Sequence, residues 1–237
     1  MVAARDAFAR HLELLYACRA CPNVAGSPIT GAVRGTRVML VGQAPGPHEA
    51  EHEKPFAYTA GKRMFGWFDG LGTSEEEFRE RVHIAAVIRC FPGKDPKAGG
   101  DRVPDVDEIA RCGVHLDREI TILAPKLVIA VGTLAASVIL SRRSGEAAER
   151  GEGPGAEKDG GPSLRSAASP LRQLRMTVGV LHRAERVGKE FDVVVLPHPS
   201  GRSTWLNKPE NAKLLQQSLE LIRTHPAFTA PRRRRRG

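Results

Sequence analysis

The stretch VMLVGQAPGPHE, residues 38–49, decides the fold. Val38 to Val41 form a short, unbroken apolar run bounded by a glycine- and proline-rich turn, the pattern of a strand buried on both faces. Three more runs of the same kind follow, at Ile84 to Ile88, Leu127 to Val131 and Val193 to Leu196. Helical periodicity separates them, most clearly between the second and third, where Ile109, Cys112, Leu116, Ile120 and Leu123 share one face. Strands alternating with helices predict an α/β fold, a three-layer α/β/α sandwich around a central, mainly parallel four-stranded sheet.

The chain has 237 residues, 41% of them hydrophobic, enough for one compact domain. That domain is expected to span residues 1–140 and 176–229. Between them, residues 141–175 turn to Gly, Glu, Ser, Arg and Pro with no apolar period, as in GEAAERGEGPGAEKDGGPS, and read as a mobile low-complexity insertion. An N-terminal amphipathic helix, with Phe8, Leu12 and Leu15 on one face, leads into Cys18 and Cys21. The last helix is expected to begin at Asn207, a capping residue, with Glu210 three positions on and Leu215, Leu219 and Ile222 as its apolar stripe. Residues 230–237 read as a disordered basic tail.

The formal net charge is +9, of which the terminal run Arg232 to Arg236 supplies five. The remaining +4 is an ordinary surface excess, so charge alone does not establish a polyanionic partner. No run of 18 apolar residues occurs, and the first 17 residues carry Arg5, Asp6, Arg10, His11 and Glu13. The expectation is a cytoplasmic protein with no membrane partner. Four cysteines in a reducing compartment point to metal or cluster ligation rather than disulfides.

Cys18-x-x-Cys21 has the spacing with which two thiolates reach one centre, and Cys90 and Cys112 come from distant segments. Together they would staple the first helix to the body through structural zinc or an iron–sulfur cluster. Gly42-Gln43-Ala44-Pro45-Gly46-Pro47-His48-Glu49 follows the first strand, where α/β proteins bind ligands, although the same residues also make a structural turn. Glu49 there has the chemistry to orient water or stabilise positive charge. Phe56 is a candidate for stacking on a base, and Lys62 lies just beyond on the next helix. After the fourth strand, Pro197-His198-Pro199-Ser200-Gly201-Arg202-Ser203 holds a histidine rigidly between prolines, which suits an electrophile. Arg202 and Trp205 nearby have the chemistry to meet a phosphate or an unstacked base.

This constellation resembles the uracil-DNA glycosylase superfamily, most closely its fourth family, the bacterial and archaeal enzymes with an iron–sulfur cluster. The run GQAPGPHEAEHEKPFAYTAG resembles the family's first motif, His198-Pro199 its second, and Cys18, Cys21, Cys90 and Cys112 follow the order of its cluster ligands. The resemblance implies a monomeric enzyme that flips a deaminated base, most simply uracil, out of DNA and hydrolyses its N-glycosidic bond. It implies a 4Fe-4S cluster rather than zinc on the four cysteines, with Glu49 and His198 catalytic. Gln43, Ala44, Gly46, Phe56 and Ala86 would line the base pocket, and Lys62, Ser200, Arg202, Ser203 and Trp205 would contact DNA. Departures from the family pattern bear on specificity. Gln43 replaces a glutamate, Ala50 an aspartate, and Ala86 the asparagine expected to read the uracil edge. The loop FPGKDPKAGGDRVP lacks the histidine of the superfamily's covalent uracil-trapping branch, so covalent trapping is not expected. Two alternatives are a DNA-binding cluster protein of this fold with lost or altered catalysis, and an unrelated α/β enzyme acting on a phosphorylated small molecule.

Overall fold

The computed structural model describes residues 2–97, 99–141, 177–201 and 204–230, without the side chains of residues 2–6 and 50. The expected insertion therefore falls outside the described residues except for Ser141, and the arginine run of the tail lies outside them altogether. The elements are α1 (Val2–Tyr16), β1 (Val38–Gly42), α2 (Glu49–His52), α3 (Thr59–Asp69), α4 (Glu75–Arg81), β2 (Val82–Ala86), α5 (Val106–Leu123), β3 (Leu127–Val131), α6 (Thr133–Leu140), β4 (Leu181–Arg186), β5 (Lys189–Leu196), α7 (Pro209–Thr224) and α8 (Pro226–Thr229).

The strands form one sheet in the order β2-β1-β3-β5-β4, with β4 antiparallel to β5 and the other pairs parallel. The four expected strands are present, and β4 is a fifth. It escapes an apolar-run reading because LHRAER sits at the edge and alternates exposed with partly buried residues. Its turn to β5 uses Val187 and Gly188, both at positive φ (48° and 68°). Such a two-residue hairpin turn favours Asn-Gly, so a valine gives no signal.

Alternation along the strands builds the three layers. Met39, Val41, Val128, Ala130, Val193 and Val195 pack against α5 and α6, through Leu116, Ile120, Ala135 and Ile139. Val38, Leu40, Leu127, Ile129, Val194 and Leu196 point the other way, onto Met64 and Phe68 of α3, Phe78 of α4 and Leu215, Leu219 and Ile222 of α7. Local signals place the helices: Ser74 with Glu77 and Asp105 with Glu108 form complete capping boxes at the starts of α4 and α5. The expected start of the last helix moves. Asn207 lies in a 3-10 turn, and α7 begins at Pro209, whose missing N–H and fixed φ suit the first helical position.

The sheet has a switch point at β1, whose neighbours β2 and β3 leave on opposite sides. Gly42 pairs with Ala86 and Val131 with Leu196, so the carboxyl ends of four strands share one edge. Ligand groups in such sheets gather there.

Candidate active site

The glycine-rich turn is fastened to its neighbour strand: the Val87 amide donates to the Gly42 carbonyl (2.9 Å) and the Ile88 amide to the Gln43 carbonyl (3.2 Å). Gly46 then donates its amide to Glu49 Oε2 at 2.8 Å. Burial raises the Glu49 carboxyl above the ordinary carboxylate range, opposed by the backbone amides of Gly46, Phe56 and Ala57 and by Arg79. A carboxylate held between amides from both sides of a pocket is oriented without being neutralised.

Phe56 sits at positive φ (55°), and Arg79 fixes the turn by donating to the carbonyls of Pro55 (2.9 Å) and Phe56 (3.1 Å). Gly61 is required beside it, since a Cβ there would meet the Phe56 carbonyl oxygen at 1.8 Å. Gly42 leaves room for the ring: its Cβ would stand 3.1 Å from Phe56 Cζ. The phenyl group thus lies over the end of β1, a half-buried platform at the pocket's edge.

His198 arrives from the end of β5. Gly132, at φ +87°, ends β3 beside it, and a Cβ there would lie 3.4 Å from His198 Cδ2. The Ser200 amide donates to His198 Nδ1 (3.3 Å), so in the neutral ring the proton sits on Nε2. Burial lowers the His198 pKa, and the Asp101 carboxylate works in the opposite direction. The ring is therefore a neutral, oriented N–H donor at ordinary pH.

Asp101 is a site residue that sequence reasoning missed. It accepts from Lys94 Nζ (2.7 Å), and its Oδ2 would lie 3.9 Å from a Cβ at Gly46. The loop after Cys90 thus folds back and sets a second carboxylate beside Gly46, in the field of His198. No motif marks it, because it is brought there by the Lys94–Asp101 bridge and the backbone hydrogen bonds that close its loop.

Ala86, the pocket end of β2, is 8% exposed. Its carbonyl accepts from Arg89 Nε (3.0 Å), and the Arg89 guanidinium makes a two-pronged ion pair with Glu119, at 3.1 and 2.5 Å. His11 of α1 and His83 of β2 each approach the same carboxylate at 3.3 Å. Burial opposes ionisation of Glu119, but Arg89 and then the histidines hold it well below the ordinary range. Charged residues read as surface in a sequence, so this core pair gave no signal.

The expected DNA-contact residues divide. Lys62 is exposed on α3, and the Ser200 carbonyl accepts from Arg63 Nη1 (3.2 Å), which ties the His198 loop to α3. Arg202 and Ser203 lie outside the described residues. Trp205 is a correction: it is 3% exposed and packs in the core on the α5 and α6 side, so its ring is not open to nucleic acid. A large aromatic in a polar stretch was here an anchor for the loop, with its carbonyl accepting from Asn211 Nδ2 (2.7 Å).

Cys18 and Cys21 beyond α1, Cys90 beyond β2 and Cys112 of α5 line one cavity of about 90 Å³, with Leu15, Arg19, Val24, Ile88, Arg111 and His115. Burial pushes the Cys90 thiol up to about 11, reinforced by Cys112, Cys18 and Cys21. Among the described residues no three His, Cys, Asp or Glu side chains are grouped to hold a single metal ion.

Fold and site define a doubly wound α/β pocket protein with an oriented imidazole and two carboxylates at the switch point. A sequence model of the uracil DNA glycosylase superfamily matches residues 28–223. The chain belongs to the uracil DNA glycosylase superfamily. It is similar to the type-4 uracil-DNA glycosylase of Sulfurisphaera tokodaii, 33% identical over 118 residues, 48% of this chain and 50% of the relative. The type-4 enzyme of Pyrobaculum aerophilum is 30% identical over 144 residues, 59% of this chain and 68% of the relative. That of Thermotoga maritima is 30% identical over 128 residues, 53% and 62%. The chain thus spans half to about two thirds of the length of these relatives. Among the described residues no helix is long and apolar enough to cross a membrane.

Proposed function

We propose that the protein hydrolyses the N-glycosidic bond of uracil in DNA as a base-excision glycosylase. The observation that carries this reading is His198, a neutral imidazole beside Gly132, oriented by the Ser200 amide with Nε2–H left to donate. As the glycosidic bond breaks, its electron pair leaves with the base and positive charge grows on the sugar. His198 Nε2–H donates to the base oxygen where negative charge develops, a preorganised contact whose loss costs roughly 10² to 10³ in rate. Glu49 faces the sugar as a carboxylate, positions the water whose oxygen bonds to the sugar carbon, and accepts the proton that this water gives up, a proton that then neutralises the departed base anion. Asp101, paired with Lys94 beside Gly46, is a further carboxylate at the edge of the same pocket. Phe56 stacks on the flipped base, with Gln43, Ala44 and Gly46 as the pocket lining, and Lys62 and the Ser200 loop meet the backbone phosphates.

The four cysteines would hold an iron–sulfur cluster. Thiolates around one zinc crowd to within about 4 Å of each other at Zn–S bonds of about 2.3 Å. Four thiols around a 90 Å³ cavity suit the bulkier cluster better. When bound, it supplies a rigid thiolate-anchored brace for the first helix rather than chemistry at the base.

A second reading, altered base preference, is favoured by Ala86. With no amide side chain at this position and its carbonyl held by Arg89, the usual reader of the uracil edge is replaced. Abasic-site formation on oligonucleotides carrying uracil, hypoxanthine or xanthine tests both readings. Uracil release is expected to dominate. Preferential release of a purine would move the specificity, and release of none would overturn the glycosylase reading.

A further inference from the structure

Next to the pocket, two rings stand outside both apolar cores. His48 and Tyr58 stack with centroids 4.7 Å apart and planes inclined by 38°. Tyr58 is 51% exposed, and the His48 side chain 50%. A tyrosine ring with a polar tip can stay exposed and still offer an apolar face for stacking. Their position suggests that use. His48 immediately precedes Glu49, and Tyr58 follows Phe56 and Ala57, whose amides face the Glu49 carboxylate. The contacts that orient Glu49 therefore also bring the two rings together on the rim of the pocket.

Exposed Glu51 and Glu53 flank His48 on one side, and on the other side α3 offers two cations to a phosphate. Lys62 and Arg63 are exposed on the first two turns of α3, which Tyr58 precedes, and Lys62 has no carboxylate in ion-pair reach among the described residues. Arg63 joins this rim to the Ser200 loop. Glu51 approaches His48 Nδ1 at 3.7 Å, along the ring's edge, and leaves the stacked faces to the tyrosine and to solvent.

We propose that Tyr58, backed by His48, is a stacking platform for an unstacked base flanking the flipped nucleotide, which makes the protein favour single-stranded over duplex substrate. The inference rests on the glycosylase reading and deepens it. Aromatic stacking is sequence-tolerant because every base has a π-face, and it needs a face that is free. In a duplex the flanking bases keep their faces against their neighbours, whereas in a single strand they are open.

The test compares Tyr58→Ala and Tyr58→Phe with wild type in binding to a uracil-containing oligonucleotide, single-stranded and annealed to its complement. Tyr58→Ala is expected to weaken single-strand binding roughly tenfold, and duplex binding far less. Tyr58→Phe, which keeps the ring, is expected to restore the single-strand preference. His48→Ala is expected to give a smaller loss in the same direction. Equal losses on both substrates, or none on the single strand, would overturn the proposal. Wild-type protein that binds and excises while Tyr58→Ala matches it overturns the platform alone; wild type that neither binds nor excises overturns the glycosylase reading as well. Thermal melting like that of wild type shows that each variant is folded.

Discussion

At the scale of residues, the site is two titratable groups moved toward each other by burial. The Glu49 carboxyl is raised and the His198 imidazole lowered. The rate should therefore fall on acidification as Glu49 takes up a proton, at a pH above the ordinary carboxylate range, while His198 stays neutral to a lower pH than a free imidazole. Single-turnover excision followed across the acid range is expected to show that inflection in wild type. Glu49→Gln is expected to be slow and flat through the same window, and an inflection that survives in this variant would assign it to another group. His198 was legible because two prolines and a strand end announce a rigid, half-exposed ring. Glu49 was legible from the glycine-rich turn three residues before it. Asp101 was not, since it reaches the pocket only through the fold of its loop, and Trp205 was misread because exposure cannot be told from a polar neighbourhood.

At the scale of elements, the buried strands were readable because each is a continuous apolar run, and the edge strand β4 was not because it alternates and its turn carries a valine. Cys18-x-x-Cys21 pointed to a shared centre, and the four cysteines do line one cavity; the structure adds a polar fastening of the same segments. His11 of α1, His83 of β2 and Arg89 meet Glu119 of α5 in the core, so α1 is tied to α5 by a buried polar contact beside the cysteine cavity. Breaking such a buried pair costs about 3–5 kcal/mol, because the remaining charge is left without a partner. Protein purified without oxygen is expected to be brown, with broad visible absorbance from thiolate-bound iron. Cys112→Ser is expected to lose the colour and to expose the C-terminal turn of α1 to hydrogen exchange, while the His11–Glu119 contact keeps the rest of the helix docked. Colourless wild-type protein carrying one zinc per chain would overturn the cluster and leave the staple.

At the scale of the whole molecule, the sheet's switch point gathers groups from remote segments: Glu49 after β1, Asp101 after β2, Gly132 after β3 and His198 after β5. Each strand end contributes one part, and parallel register aligns the ends, which is why the order of motifs in the sequence carried more information than any single motif. On the glycosylase reading, His198 stabilises the departing base. The most direct measurement is the single-turnover rate of base release from a saturating uracil oligonucleotide by wild type and His198→Ala. A loss of roughly 10² to 10³ in rate at unchanged DNA affinity is the expected result. A variant that releases uracil as fast as wild type would contradict the account.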